Sequence, residues 1–157
     1  MIELRPPTTA DVDDIARIYI DSWNDGFGHL LGVREHSAER RDRWAADLSD
    51  ASVTWTVAEL DGVVAGFCGV GASRDPVRAG LGELQTIAVD SPFWRRGVGS
   101  ALMATALDQL RSDFESAVLW TPSGYDRGHA FYGATGWSAL GRTRDDARQT
   151  AFAHDLA

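Results

Sequence analysis

The chain has 157 residues, 44% hydrophobic and 24% charged, which fits one globular domain able to bury a core of its own. A formal net charge of −8 excludes a general binder of nucleic acid or of anionic membrane, since both need a positive field. One cysteine excludes an internal disulfide and a cysteine zinc cluster. No apolar run nears the ~20 residues of a membrane span and no secretory pattern opens the chain, so a cytoplasmic protein is expected.

Ile2 to Arg5 reads as a short strand stopped by Pro6-Pro7. Thr9 or Asp11 is placed to cap a helix carrying Val12, Ile15, Ile18 and Tyr19 at helical spacing and reaching about Trp23. Asn24 to His29, with glycines at 26 and 28, reads as a loop. Ser37 caps a second helix through Trp44 and Leu48. Val53 to Ala58 alternates as a strand, Asp61-Gly62 marks a tight hairpin, and Val63 to Val70 returns. Cys68 lies in that apolar run, where a buried inert thiol is the expectation. Ser73 to Gly80, with Asp75-Pro76, reads as a polar connection.

Leu84, Ile87 and Val89 give a strand that runs into Trp94-Arg95-Arg96-Gly97-Val98-Gly99-Ser100 and then straight into a helix with Val98, Leu102 and Ala106 on one face. Ala117 to Trp120 is a further strand, ended by Pro122, and a helix from about Asp126 ends at Thr135-Gly136. Trp137 to Arg142 and Gln149 to His154 close the chain as two strands around Asp145-Asp146. No repeat or linker interrupts this order, so residues 1–157 are read as a single domain, a mixed α/β sheet covered by helices.

The basic, glycine-rich turn is the most informative segment. At a strand-to-helix junction the first-turn N–H groups have no partner inside the helix, and the helix dipole favours an anion there. Gly97 and Gly99 remove side chains that would hold a ligand away from those amides, while Arg95 and Arg96 add positive charge to an acidic chain. A P-loop requires a lysine before its Ser or Thr, and Ser100 follows Gly99 directly. A dinucleotide fingerprint requires a small residue where Leu102 stands. The bland alternative is a tight turn that binds nothing.

Gly82 to Val89 followed by Arg95 to Leu102 resembles the acetyl-CoA-binding core of the GNAT N-acetyltransferases. Ala130-Phe131-Tyr132 followed by Gly136-Trp137 resembles that family's Phe-Tyr and Gly-Phe signature, and the hairpin at Asp61-Gly62 fits its second and third strands. The resemblance covers essentially the whole chain. It implies a mixed, mostly antiparallel sheet of about seven strands covered by about four helices, splayed after the cofactor strand. Acetyl-CoA is then the co-substrate: Arg95, Arg96, Gly97, Val98, Gly99 and Ser100 meet its pyrophosphate, and the backbone of Ile87, Ala88 and Val89 runs beside pantetheine. Two positions depart from the family: Trp94 stands where Gln or Arg is common, and Tyr125 where Asn often begins a helix.

Acetyl transfer to an amine requires a base, an oxyanion donor and an acid for the leaving thiolate. The resemblance offers Glu83, directly or through water, the N–H of Ile87, and Tyr132 respectively, against readings of Glu83 as a strand-end carboxylate and Tyr132 as a core aromatic. Trp23, Phe27, His29 and Trp120 are the candidate acceptor-binding residues, by analogy with the family's variable helix-loop. The four histidines lack metal spacing, so no metal is expected. The function implied is direct acetyl transfer to a primary amine of a small molecule through a ternary complex, with a homodimer among the assemblies to expect. A protein lysine or N-terminal acetyltransferase, and a non-catalytic acyl-CoA sensor on the same fold, stand as alternatives.

Overall fold

Strand β1 (Ile2–Arg5) ends in a guanidinium that organises the first turn of the chain. Arg5 makes paired bonds to Asp11, Nη1 to Oδ2 at 2.7 Å and Nη2 to Oδ1 at 2.9 Å, and Nη2 also reaches Glu59 Oε1 at 2.7 Å. The Thr8 N–H donates to Asp11 Oδ2 at 2.7 Å, so the 3-10 turn Thr9–Asp11 is fixed before helix α1 begins. Asp11 is buried, yet the Arg5 hydrogen bonds hold its carboxyl down at about 2 against the desolvation that pushes it up.

The chain is described by a computed structural model that covers residues 1–74 and 80–157. Helices are α1 (Val12–Leu31), α2 (Ala38–Leu48), α3 (Val98–Asp113) and α4 (Asp126–Ala134). The remaining strands are β2 (Val53–Leu60), β3 (Val63–Ala72), β4 (Gly82–Val89), β5 (Ser116–Pro122), β6 (Ser138–Arg144) and β7 (Gln149–Asp155). Ser37 caps α2 as its side chain accepts from the Arg40 N–H, and Asp61 and Gly62 both have positive φ, the backbone that a tight hairpin needs. The polar connection expected over Ser73 to Gly80 falls in part on 75–79, outside the described residues.

One expectation is corrected. Asn24 to His29 is helix, not loop, because α1 continues to Leu31 and stops at Gly32, whose φ is +88°. Two interior glycines cost up to ~1 kcal/mol each relative to alanine, and packing offsets that cost. Tyr19, Trp23 and Phe27 recur at four-residue spacing and stack along the helix, with ring centroids 6.2 and 5.0 Å apart. Phe27 also meets Tyr125, from the start of α4, edge-on at 4.7 Å, and a Cβ on the buried Gly26 would stand 3.3 Å from the Tyr125 hydroxyl.

Sheet order is β1-β2-β3-β4-β5-β7-β6, and every neighbouring pair is antiparallel except β4–β5. Leu84 and the apolar stripe of α3, including Leu102, Met103 and Leu110, form a core on one face; Ile15, Ile18, Trp44, Phe67 and Ala88 form another beneath α1 and α2. The helices thus cover both faces of one sheet, with Cys68 buried and its thiol pushed up to about 12 by desolvation. No described helix is long and apolar enough to cross a membrane.

Candidate active site

The parallel pair β4–β5 is joined only at Gly82↔Ala117 and Glu83↔Val118, after which the strands part. Which β4 groups face the gap follows from the other side of the strand. The Asp90 N–H donates to Ala65 O at 2.9 Å in register with Gly66↔Val89, and antiparallel pairs alternate between bonded and non-bonded. Thr86 and Ala88 therefore bond to β3, whereas the N–H and C=O of Ile87 and Val89 point into the gap. Backbone groups left off the ladder in this way take a partner or water.

The turn after β4 supplies one. Beyond the short 3-10 turn Ser91–Phe93, the Trp94 indole N–H donates to Val89 O at 2.8 Å, which leaves Ile87 and the Val89 N–H as the free groups. Arg95 has φ +59° and Gly97 φ +86°, left-handed backbone that swings the chain into α3. The Asp90 carboxylate, 6% exposed, fixes the turn to α1 by accepting from Arg17 Nη1 at 3.0 Å. The first N–H groups of α3, at Val98, Gly99 and Ser100, have no carbonyl within the helix to bond.

A cavity of about 310 Å³ occupies the gap. Among the expected residues, Ile87, Ala88 and Val89 of β4, the turn residues Arg95, Gly97, Gly99 and Ser100, and Tyr132, Trp23 and Phe27 all reach its wall. Arg96 and Val98 do not; Val98 is buried beneath the turn, and Arg96 lies 5.7 Å from the Phe93 ring. His29 is exposed and off the wall, and Trp120 lies beneath Arg144 (4.4 Å) on the β6 side, so neither joins Trp23 and Phe27.

Glu83 is also off the wall. Its carboxylate is 3% exposed, accepting from the Arg74 N–H at 2.9 Å and from Arg74 Nη2 at 2.7 Å. Thr86, the nearest β4 residue on the wall, is three positions on, or ~10 Å at the rise of a strand. Tyr132 lies between Phe131 and Phe152, and burial first, then the neighbouring Tyr125, push its phenol up to about 12. It is therefore protonated at neutral pH. The buried Thr121 hydroxyl nearby pulls the other way.

The wall also holds residues that sequence reasoning did not select, notably Tyr19, Ser22, Thr86, Phe93 and Phe131. Both departures from the family pattern are there too. Trp94 lies 3.6 Å beneath the Arg127 guanidinium, and Tyr125 meets the α1 aromatics. The four-residue spacing of Tyr19, Trp23 and Phe27 is the signal that could have placed α1 on the wall; Tyr125 and Arg127 arrive only through the packing of α4.

A sheet split after its fourth strand, with a glycine turn opening α3 beside the split, leaves a strand edge and a helix start free for an extended ligand that carries an anion. The model of the acetyltransferase (GNAT) family matches residues 12–137, and the chain belongs to that family. It is 28% identical over 134 residues to an uncharacterised N-acetyltransferase of Archaeoglobus fulgidus, covering 83% of this chain and 89% of that one. Another uncharacterised N-acetyltransferase, from Bacillus subtilis, is 26% identical over 125 residues, with 76% and 71% covered. In fold, the chain is similar to the PaiA N-acetyltransferase of Thermoplasma acidophilum, solved in complex with coenzyme A, with a TM-score of 0.75, 15% identity and 99% of each chain covered. The protein is an N-acetyltransferase that uses acetyl-CoA as acetyl donor.

Proposed function

We propose that residues 1–157 form one catalytic domain that moves an acetyl group directly from CoA to the primary amine of a small molecule in a ternary complex. The observation that carries this reading is the aromatic edge that α1 adds to the cavity wall. Phe27 reaches Tyr125 at 4.7 Å, so aromatic side chains of α1 and α4 narrow the acceptor side of the cavity, which supports a small amine as the acceptor.

Each part of the chemistry has a place. The N–H groups of Gly99 and Ser100 and the Arg95 guanidinium bind the pyrophosphate, a charge-assisted contact at a helix start. The Val89 N–H and the Ile87 backbone pair with pantetheine as an added strand. The bound thioester supplies an activated acetyl carbon; the Ile87 N–H, aimed into the gap, stabilises the oxygen that gains charge during attack. The amine nitrogen forms the new C–N bond as C–S breaks, its proton leaves through water toward Glu83, and the Tyr132 hydroxyl protonates the departing sulfur. Because Glu83 is off the wall, this reading routes the proton through water.

Screening purified protein with acetyl-CoA against small amines and against peptides, read as free CoA release, tests this reading. Turnover with small amines is expected; turnover confined to peptides would refute it.

A further inference from the structure

The cavity wall carries two guanidiniums, one from the turn after β4 and the other from the helix after β5. Among the described residues Arg95 and Arg127 are its cations; Arg96, the expected neighbour of Arg95, is off the wall. Arg127 stands in the first turn of α4, and helix spacing fixes where it points. Phe131, four residues on, shares its face of α4, and a Cβ on Gly99 would meet the Phe131 ring at 3.6 Å. Arg127 therefore lies one helical turn, ~6 Å, along α4 from the residue that touches the head of α3.

The Arg127 guanidinium is held in place without being neutralised. It lies 3.6 Å from the centroid of the Trp94 ring, and Nη2 donates to the Tyr125 hydroxyl at 3.3 Å. Both supports are themselves fixed. The Trp94 indole N–H donates to Val89 O at 2.8 Å, and Tyr125 meets Phe27 edge-on. Arg127, Trp94 and Tyr125 all line the cavity. Among the described residues no carboxylate forms an ion pair with Arg127, in a chain of net charge −8. Arg17, which ties the same turn to α1, is by contrast paired with both Asp90 and Asp21. A guanidinium over an aromatic ring keeps its edge N–H groups, and one bond to Tyr125 leaves most of its five donors for an anion.

Charge then distinguishes the two arginines. A pyrophosphate within a diester carries a negative charge on each phosphate at neutral pH. The turn and the head of α3 bring one full positive charge to the wall, that of Arg95, and backbone N–H groups beside it. The second cation comes from α4. We infer that Arg127 binds the pyrophosphate of the donor from the α4 side, with Trp94 as its platform, so that the cofactor is clasped between two helices. This rests on the reading of the glycine turn as the pyrophosphate site.

The test uses the full chain and calorimetric titration with three ligands. CoA carries both the pyrophosphate and the 3′-phosphate, dephospho-CoA keeps the pyrophosphate alone, and pantetheine has neither. Arg127→Gln is expected to raise Kd for CoA and for dephospho-CoA by ~10-fold each, the low end for a hydrogen bond to a charged group because Arg127 is exposed. Arg127→Lys, which keeps the charge and loses the planar fork, falls between the two proteins. At about 1 M salt, where the screening length drops to ~3 Å, the gap between wild type and Arg127→Gln narrows. A gap that salt leaves unchanged marks an arginine that only pins α4 in place. A loss confined to CoA assigns it to the 3′-phosphate instead. Either result, no loss with either nucleotide, or Arg127→Lys binding no better than Arg127→Gln overturns the inference. Pantetheine binding the wild-type protein as tightly as dephospho-CoA would refute the reading of the turn itself, whatever the Arg127 variants do.

Discussion

Gly99→Ala separates cofactor binding from folding better than any other single change in the turn. A Cβ at Gly99 would meet the Phe131 ring at 3.6 Å and Val89 Cγ2 at 3.8 Å, ordinary contact distances, and no positive φ protects this glycine. Alanine in the first turn of α3 is thus expected to leave stability unchanged or raise it by up to ~1 kcal/mol, a rise in Tm of about 2–4 °C for a domain of this size. The same methyl group stands on the cavity wall, beside the helix-start amides. If it pushes the pyrophosphate off one charge-assisted hydrogen bond, the loss is about 1.5–3 kcal/mol, or ~10- to 100-fold in Kd for acetyl-CoA. Thermal melts and calorimetric titration of the two proteins read both quantities. A variant that melts no lower and binds acetyl-CoA as tightly as the wild type would refute the assignment of the pyrophosphate to this turn. Gly97→Ala would be a poorer probe, since φ +86° makes the backbone itself resist a side chain.

Tyr132→Phe is expected to lower kcat by about 10²-fold or more while the Kd for CoA stays within about twofold; unchanged kcat would remove the phenol from the acid role. Glu83→Gln should depress the rate most at low pH, where the amine holds its proton, and an unaltered pH profile would count against the water relay. Arg5 holds Asp11 at about 2 when folded, well below an ordinary aspartate, which is worth about 2 kcal/mol. Because the folded value is the lower one, that stabilisation is present above about pH 4 and is lost as the pH falls from about 4 toward 2. Asp11→Asn should lower Tm at pH 7 by about 4–8 °C and flatten the acid limb of the stability curve; an acid limb identical to the wild type would refute it.

Local features were legible in the sequence because their causes are local. The Ser37 cap, the Asp61-Gly62 hairpin and the glycine turn each depend on a few adjacent residues, and each stands where the pattern put it. The end of α1 was not legible, since Gly26 and Gly28 are helix breakers on propensity and are overruled by Tyr125, about a hundred residues away. The same holds for the site. The strand that carries Ile87 and Val89 was readable from its apolar pattern and their place beside a cofactor only from the family resemblance, while the Arg74 bonds to Glu83 and the stack of Arg127 on Trp94 depend on packing. Trp94 departs from the family's Gln or Arg at the head of the turn, and its indole N–H donates to the Val89 carbonyl.

That indole bond also acts as a ruler. Beyond Ile87 the edge of β4 offers one more donor, and the next outward carbonyl already accepts from the Trp94 indole, which stands in the way of a second partner. An extended molecule laid against the strand therefore cannot slide by a peptide repeat toward the turn and keep its hydrogen bonds. With the phosphates at the head of α3, as proposed, its reach into the sheet would be set by the distance from that anchor to Ile87. Chain length, measured from the turn, then decides which atom lies opposite the Ile87 N–H.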